Sequence, residues 1–235
     1  SWEKRMLPID TQHYSWEVTS IAIARNGSAS PVLFAAAGSV YISNDDGKNW
    51  RRTDSTLATS IEDMELVPTD AGGHCLFVGT VAGVLATTDD GASREERSSG
   101  LTNRWVTRFA SYGNTLYVAS GAARPEESYV SRSTDYGMHW TNAASGLPKR
   151  VTEALEATDS MLYAGTLYTG IYRSSNGGIH WQAANDGVTS NFLISMAVTD
   201  SRVIVGTSGV GAFSSTDAGQ RWDTLWNETM MSTVS

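Results

Sequence analysis

The sequence predicts an all-β protein, a β-propeller of four-stranded antiparallel blades. Three observations predict this fold class: a short motif returns five times along the 235 residues, strand-like segments fill the intervals, and no segment combines helical periodicity with helix caps. Copies of the motif begin at residues 43, 87, 133, 174 and 215, so the steps are 44, 46, 41 and 41 residues. A repeat of roughly 43 residues is the size of a four-stranded propeller blade.

The elements of one blade follow in a fixed order. The first strand is an alternating segment such as VTSIAIA from Val18, because alternation with period two is typical of a strand. A turn and an apolar run such as CLFVGT predict the second strand, and a loop that carries glycine leads to a third strand such as SVYIS. The motif then forms a turn, and the fourth strand opens on the tryptophan of the motif. Five complete blades are predicted at residues 17–59, 60–104, 105–149, 150–191 and 192–231.

The repeated motif reads S-x-D-x-G-x-x-W, and we interpret it as a hairpin turn. Asp and Asn side chains bond their own backbone two residues on, glycine supplies a positive φ, and tryptophan buries a large surface. A catalytic aspartate does not recur once per blade, so the motif predicts fold rather than chemistry. The residues with this structural role are Asp45, Gly47, Trp50, Asp89, Gly91, Asp135, Gly137, Trp140, Asn176, Gly178, Trp181, Asp217, Gly219 and Trp222. Arg94 takes the place of tryptophan in the second copy.

The motif and its spacing resemble the Asp-box, also called the BNR repeat, over nearly the whole chain. Asp-boxes occur in sialidases, xyloglucanases, sortilin-type receptors and photosystem II assembly factors. The resemblance therefore implies the propeller fold and leaves the function open. Because Asp-box proteins are mostly exported, the resemblance implies a secreted or periplasmic location.

The two ends of the chain do not fit the repeat. Residues 1–16, with Trp2, resemble the fourth strand of an earlier blade, and the last residues resemble a further first strand. We expect a single propeller domain over residues 1–235 with an unmatched N-terminal strand. Four arrangements remain open: five blades that close with a spare edge strand, a sixth blade completed from pieces, part of a larger propeller, or a homo-oligomer that completes the ring through unmatched edge strands.

Composition narrows the classes of partner. The net charge of −8 and the pI near 4.9 argue against nucleic acid, because phosphate contacts need a basic face. No apolar run approaches the roughly 20 residues of a membrane helix. The adjacent aspartates at 45–46 and 89–90 lack the ligand spacing of a calcium loop, so neither a metal nor another cofactor is predicted.

Candidate site residues lie where the first strands begin. Ligands of such propellers usually bind on the face that carries the loops leading into the first strands and the loops between the second and third strands; we call this the top face. The third residues of the first strands form a column, namely Ser20, Asp63, Arg108, Glu153 and Ser195. The column is interpreted either as a salt-bridged ring around a wet channel or as a ligand site.

Two loops add candidates for the same site. The loop at residues 121–128 of the third blade is longer than its equivalents and carries Arg124 and Glu126, and long loops often carry function. The corresponding loop of the fourth blade carries Tyr168, a side chain that suits a sugar or a peptide.

These observations predict a non-catalytic binding or scaffold propeller that recognises a protein or a glycan on the top face. The alternative is a sialidase- or xyloglucanase-like glycoside hydrolase, in which Asp63 and Glu153 would supply the two carboxyl groups that glycoside hydrolysis needs. An interaction fragment of a larger propeller is the third hypothesis.

Overall fold

The protein is all-β in a computed structural model that describes residues 7, 17–24, 31–53, 60–70, 72–121, 129–199 and 201–226. Twenty strands form five four-stranded antiparallel sheets, and the described part of the chain contains no helix. Each sheet keeps its four strands in sequence order, so each is one blade. The predicted fold class is thereby confirmed. The expected N-terminal strand at 1–16 lies outside the described residues, apart from Leu7.

The strands have the following bounds. The first blade contains β1 (Ser20–Ala24), β2 (Val32–Ala36), β3 (Val40–Ser43) and β4 (Arg51–Arg52). The second contains β5 (Ile61–Pro68), β6 (His74–Thr80), β7 (Gly83–Thr87) and β8 (Glu95–Glu96). The third contains β9 (Val106–Tyr112), β10 (Thr115–Ser120), β11 (Tyr129–Ser133) and β12 (Thr141–Asn142).

The last two blades repeat the pattern. The fourth contains β13 (Thr152–Ala157), β14 (Leu162–Thr166), β15 (Gly170–Ser174) and β16 (Gln182–Ala183). The fifth contains β17 (Leu193–Thr199), β18 (Arg202–Thr207), β19 (Gly211–Ser215) and β20 (Asp223–Trp226). The fourth strand has only two residues in four of the five blades, which shortens the exposed outer edge.

The Asp-box turns are closed by their own side chains. In the first, the Ser43 hydroxyl accepts from the Gly47 N–H at 2.9 Å, and Asp45 Oδ1 accepts from the Asn49 N–H at 2.8 Å. Asp46 and Gly47 have φ values of 59° and 78°, so the turn needs two left-handed residues in succession. The hydrogen bonds from Asn49, above all from its backbone, lower the pKa of Asp45 to about 2. The carboxylate oxygens are therefore engaged inside the turn.

The hydrophobic core is divided among the contacts between blades. Four apolar clusters each join the facing sides of two consecutive blades. The second-strand residues Leu76, Leu116 and Leu162 face the preceding blade in these clusters. The next residue along the strand, as in Phe77 and Tyr117, faces the following blade. Period-two alternation thus gives each sheet two apolar faces, which is why it can stack on both sides.

Three Asp-box tryptophans fasten one blade to the blade before it. The indole N–H of Trp140 donates to the Arg97 carbonyl, that of Trp181 to Ala143, and that of Trp222 to Ala184, at 2.7–2.8 Å. Each acceptor lies three residues beyond the equivalent position of the preceding motif. These rings are at most 4 % exposed, so each bond is made in an apolar contact. The motif therefore stabilises the stacking of blades as well as a turn.

The five blades form an arc rather than a uniform ring in the described part of the chain. The inner strands β1, β5, β9, β13 and β17 pack successively against one another, and no comparable packing joins β17 back to β1 within the described residues. Trp50, in the first blade, is partly exposed and donates its indole N–H to Gly47 of its own turn at 3.0 Å. The first and fifth blades thus each have a face that is less covered than its equivalents in the middle of the arc.

Candidate functional site on the inner strands and the top face

The top face is built by a repeated backbone contact. The carbonyl of the residue that leads into the first strand accepts a hydrogen bond from a backbone N–H of the loop between the second and third strands. Gly121 donates to Trp105, Leu167 to Val151 and Ser208 to Phe192, at 2.8–3.0 Å. This contact holds the two kinds of loop side by side on three consecutive blades, as the predicted geometry of the top face requires.

An exposed aromatic pair lies on this face between the fourth and fifth blades. Tyr168 is 62 % exposed and Phe192 37 % exposed, and their rings meet edge to face with centroids 5.2 Å apart. An isolated antiparallel bridge between Leu167 and Phe192 holds the two backbones together. Tyr168 has φ of 69°, a left-handed conformation that is strained for a residue other than glycine. The pair is a fixed, amphipathic platform on the surface.

Asp63 ties three blades together through its carboxylate. Oδ1 accepts from the Ser20 hydroxyl of the first blade and from the Met64 N–H, both at 2.9 Å. Oδ2 accepts from the Phe109 N–H of the third blade at 2.8 Å. Burial raises the pKa of Asp63, although these hydrogen bonds oppose the shift. With donors on both oxygens, this carboxylate is arranged as a cross-link between inner strands.

Arg108 makes the corresponding link from the third blade to the fourth. Its Nε donates to the Glu153 carbonyl at 2.7 Å and its Nη1 to the Thr107 carbonyl at 2.6 Å. The Glu153 carboxylate is 3.8 Å from Nη2, a looser ion pair in which both side chains are about one third exposed. The guanidinium is thus directed mainly to backbone carbonyls, and the Glu153 carboxylate keeps open contact with solvent.

The register of the fourth blade differs from the alignment made on sequence. A β-bulge at the start of each first strand in blades two to five shifts the pairing by one residue. Asp63, Arg108 and Ser195 lie opposite Gly79, Ala119 and Gly206. In the fourth blade the residue opposite Gly165 is Ala154. In the fourth blade the bulged residue is Glu153, the third residue of the segment VTEALEA. In the other three blades with a bulge, the bulged residue is the second of the equivalent segment. The column on the inner strands is therefore Ser20, Asp63, Arg108, Ala154 and Ser195.

Two glutamates on the inner strands were not found by the sequence analysis. Glu65 and Glu156 lie opposite Phe77 and Tyr163 at equivalent register positions, where the other blades have Ala22, Ala110 and Ala197. Burial raises the pKa of Glu65 to about 7, although a hydrogen bond from the Ser111 hydroxyl opposes the shift. Burial, followed by the charges of Glu65 and Asp63, raises the pKa of Glu156 to about 7. Alternation places Glu65 on the same side as Asp63, and this is the signal that could have revealed it.

The remaining sequence candidates are not brought into this set. Arg124 and Glu126 lie outside the described residues. Tyr168 lies on the top face with Phe192, and no contact joins it to Asp63 or Arg108 in the described part of the chain. The sequence candidates with described side chains thus divide into inner-strand links and an aromatic surface pair.

A large groove lies on the opposite face of the molecule, which we call the bottom face. It has a volume of about 810 Å³ between the turns of the fourth and fifth blades. Met161, Arg202 and Asp217 line it together with Tyr112 of the third blade. Tyr112 is 51 % exposed, so this face also presents an accessible aromatic ring.

Searches against known proteins support a propeller of the Asp-box type. No protein-family model matches the chain. Among curated proteins, the xyloglucanase of Hypocrea jecorina (strain QM6a) is 27 % identical over 151 residues. That match covers 63 % of this chain and 18 % of the relative, so the chain spans under a fifth of the curated relative's length.

Solved structures with the same fold include proteins of different kinds. YCF48 bound to D1 peptide has a TM-score of 0.70 at 16 % identity, over 100 % of this chain and 73 % of that chain. The GH74 enzyme of Niastella koreensis has a TM-score of 0.61 at 20 % identity, over 88 % of this chain and 31 % of that chain. The extracellular domain of the hybrid two-component system BT4673 from B. thetaiotaomicron has a TM-score of 0.68 at 17 % identity, over 93 % of this chain and 28 % of that chain. At these identities the likeness establishes the fold.

The described residues contain no helix that is long and apolar enough to cross a membrane.

Proposed function

We propose that this chain is a non-catalytic binding propeller that takes a protein or glycan ligand on its top face. The observation that carries the proposal is the exposed Tyr168–Phe192 pair, held in place by the Leu167–Phe192 bridge and by a strained backbone at Tyr168. Strained residues cluster at ligand sites, and aromatic rings with a polar tip are favoured in binding surfaces. The solved complex of YCF48 with a peptide supports the protein side of the proposal.

The polar links on the inner strands support binding over catalysis by the residues chosen from sequence. Asp63 accepts three hydrogen bonds from three blades, and Arg108 is bonded to two carbonyls. Groups held in this way cross-link the inner strands of the first four blades, and the Leu167–Phe192 bridge links the fourth blade to the fifth at the aromatic pair. A rigid platform lowers the entropy cost of ligand binding.

The test compares two exposed tyrosines on opposite faces. Tyr168→Ala removes the ring of the top face, and Tyr112→Ala is the matched control on the bottom face. Wild type and both variants are applied to a glycan array and to a peptide array. We expect ligand signals that fall at least about tenfold in Tyr168→Ala, as for a truncated binding hot spot, and that persist in Tyr112→Ala. Signals lost only in Tyr112→Ala would place binding in the bottom groove and refute the proposal.

A second candidate function, glycoside hydrolysis, is favoured by one observation, the pair Glu65 and Glu156. Hydrolysis needs one carboxyl group protonated near neutral pH and a second as base or nucleophile. The pKa of each glutamate is raised to about 7. Release of reducing sugar from xyloglucan, abolished by Glu156→Gln and retained in Glu153→Gln, would establish this function and displace the binding proposal. No release by the wild-type chain would exclude xyloglucan as a substrate.

A secreted or periplasmic location belongs with this proposal. The extracellular domain among the similar structures supports it. Detection of the native protein in the extracellular or periplasmic fraction, with a cytoplasmic marker absent, is the measurement that checks it.

A further inference from the structure

The free face of the first blade exposes an apolar residue, Ile21, whose equivalents in the second, third and fourth blades are buried. Ile21 lies opposite Ala35 in the register, as Met64 does opposite Val78, Phe109 opposite Val118 and Leu155 opposite Ala164. The three equivalents face the preceding blade and are 4–5 % exposed, whereas Ile21 is 64 % exposed. Ile23, next on the same side, is 51 % exposed.

The Asp-box of the first blade shows the same difference. Trp140, Trp181 and Trp222 are buried and donate to a carbonyl of the preceding blade. Trp50 is partly exposed and donates within its own turn. Its ring and N–H occupy the position that, in three other blades, binds a neighbouring blade.

The free face of the fifth blade carries the complementary residues. Ile204 lies opposite Ala197 and is partly exposed, whereas its equivalents Phe77, Tyr117 and Tyr163 are at most 5 % exposed against the following blade. Leu225 lies three residues after Trp222, at the position where Ala143 and Ala184 accept the next tryptophan, and it is 45 % exposed.

The same chain therefore presents both halves of a contact that it already makes four times. We propose that the first blade of one copy stacks on the fifth blade of a second copy, joining Ile21, Ile23 and Trp50 to Ile204 and Leu225. A second copy supplies this surface with the sequence and spacing that the internal contacts use.

The contact is heterologous, because the two joined faces differ. This gives it a signature that an ordinary symmetric contact lacks. A charge placed on either face breaks self-association, yet each variant keeps the face that the other has lost. A mixture of the two variants regains one intact contact.

The test is the molar mass in solution, by sedimentation velocity and light scattering, from about 1 to about 100 µM. We expect the wild type to reach at least twice 25.3 kDa as the concentration rises. Ile21→Glu and Ile204→Glu should each remain at 25.3 kDa, and their equimolar mixture should recover a species of twice that mass. Ile179→Glu is the matched control, because Ile179 is 68 % exposed in the fourth Asp-box turn, away from both faces, and should associate as the wild type does.

Leu225→Glu is a second variant of the fifth-blade face, at a position already 45 % exposed, in case Ile204→Glu fails to fold. Far-UV circular dichroism and thermal unfolding of each variant establish that it is folded. A wild type that stays monomeric over the whole range would overturn the proposal. So would association that survives both face variants, or a mixture that fails to recover the mass.

Discussion

At the scale of single residues, carboxyl groups with shifted pKa values make the stability of the protein depend on pH. Glu65 and Glu156 carry a pKa raised to about 7, and the Asp-box aspartates Asp45 and Asp135 carry one lowered to about 2. Between about pH 4.5 and 7, Glu65 and Glu156 bind more protons in the folded chain than in the unfolded chain. Their contribution to stability is therefore complete below that pH range and is lost as the pH rises through about 7. The lowered groups act in the opposite sense and only as the pH falls below about 4. The two sets therefore act in separate ranges.

We predict that Glu65→Gln flattens the pH dependence of stability near neutrality. In the wild type the free energy of unfolding should fall between pH 5 and 8 as Glu65 and Glu156 ionise inside the protein, by on the order of 1–3 kcal/mol. The glutamine side chain keeps a partner for the Ser111 hydroxyl and cannot ionise, so about half of that fall should disappear. Urea unfolding at pH 5, 6, 7 and 8 measures it. Glu62→Gln, in the same strand, is the control, and an unchanged slope in Glu65→Gln would show that Glu65 is not the titrating group.

At the scale of the element, the Asp-box shows what sequence reasoning could and could not reach. The period, the strand order of each blade and the fold class follow from alternation and from the motif, because those patterns are local along the chain. The bonds of Trp140, Trp181 and Trp222 to the preceding blade do not follow, because they depend on stacking distances between distant segments. The β-bulge that displaces Glu153 in favour of Ala154 was missed for a similar reason: one inserted residue leaves the alternation readable and changes which residue faces the column.

The second blade lacks this tryptophan, and its interface with the first blade contains a cavity. Arg94 stands in the tryptophan position, and an apolar cavity there is lined by Val40, Leu76, Leu85 and Gly91 among others. In the later blades the indole N–H donates to the carbonyl three residues after the tryptophan position of the preceding motif. An indole at position 94 would therefore donate to the carbonyl of Thr53. At this interface the indole bond of the later blades is replaced by apolar packing and by hydrogen bonds of Thr19 and Ser20 to the second blade.

We predict that Arg94→Trp stabilises the protein. Covering this small apolar pocket with the indole ring and adding an inter-blade hydrogen bond should raise the free energy of unfolding by about 1 kcal/mol, as single stabilising substitutions commonly do. Arg94→Ala is the matched control, because it removes the guanidinium and its interactions without filling the space. Thermal and urea unfolding of the three proteins measure the effect. Equal stability of Arg94→Trp and Arg94→Ala would show that the cavity does not accept the ring.

At the scale of the whole molecule, the blades are arranged in series. Four apolar clusters join five blades, so the third blade has a complete neighbour on each side and the end blades have one. In such repeat proteins stability is close to a sum of the stability of each repeat and of its contacts with neighbours. The end blades are therefore the first to open, and any partner that covers their free faces protects them.

We predict a gradient of amide hydrogen exchange along the arc. At concentrations where the chain is monomeric, amides of β10 in the third blade should exchange at least about tenfold more slowly than the equivalent amides of β2 and β18. The reason is that opening an end blade breaks one apolar contact between blades, whereas opening the third blade breaks two. Exchange followed by mass spectrometry at low and high protein concentration measures it. If copies associate through the end blades as proposed, β2 and β18 should gain protection at high concentration, while β10 stays unchanged and serves as the internal control. Uniform exchange over the five blades would mean that the arc opens as one cooperative unit, and would contradict the serial description.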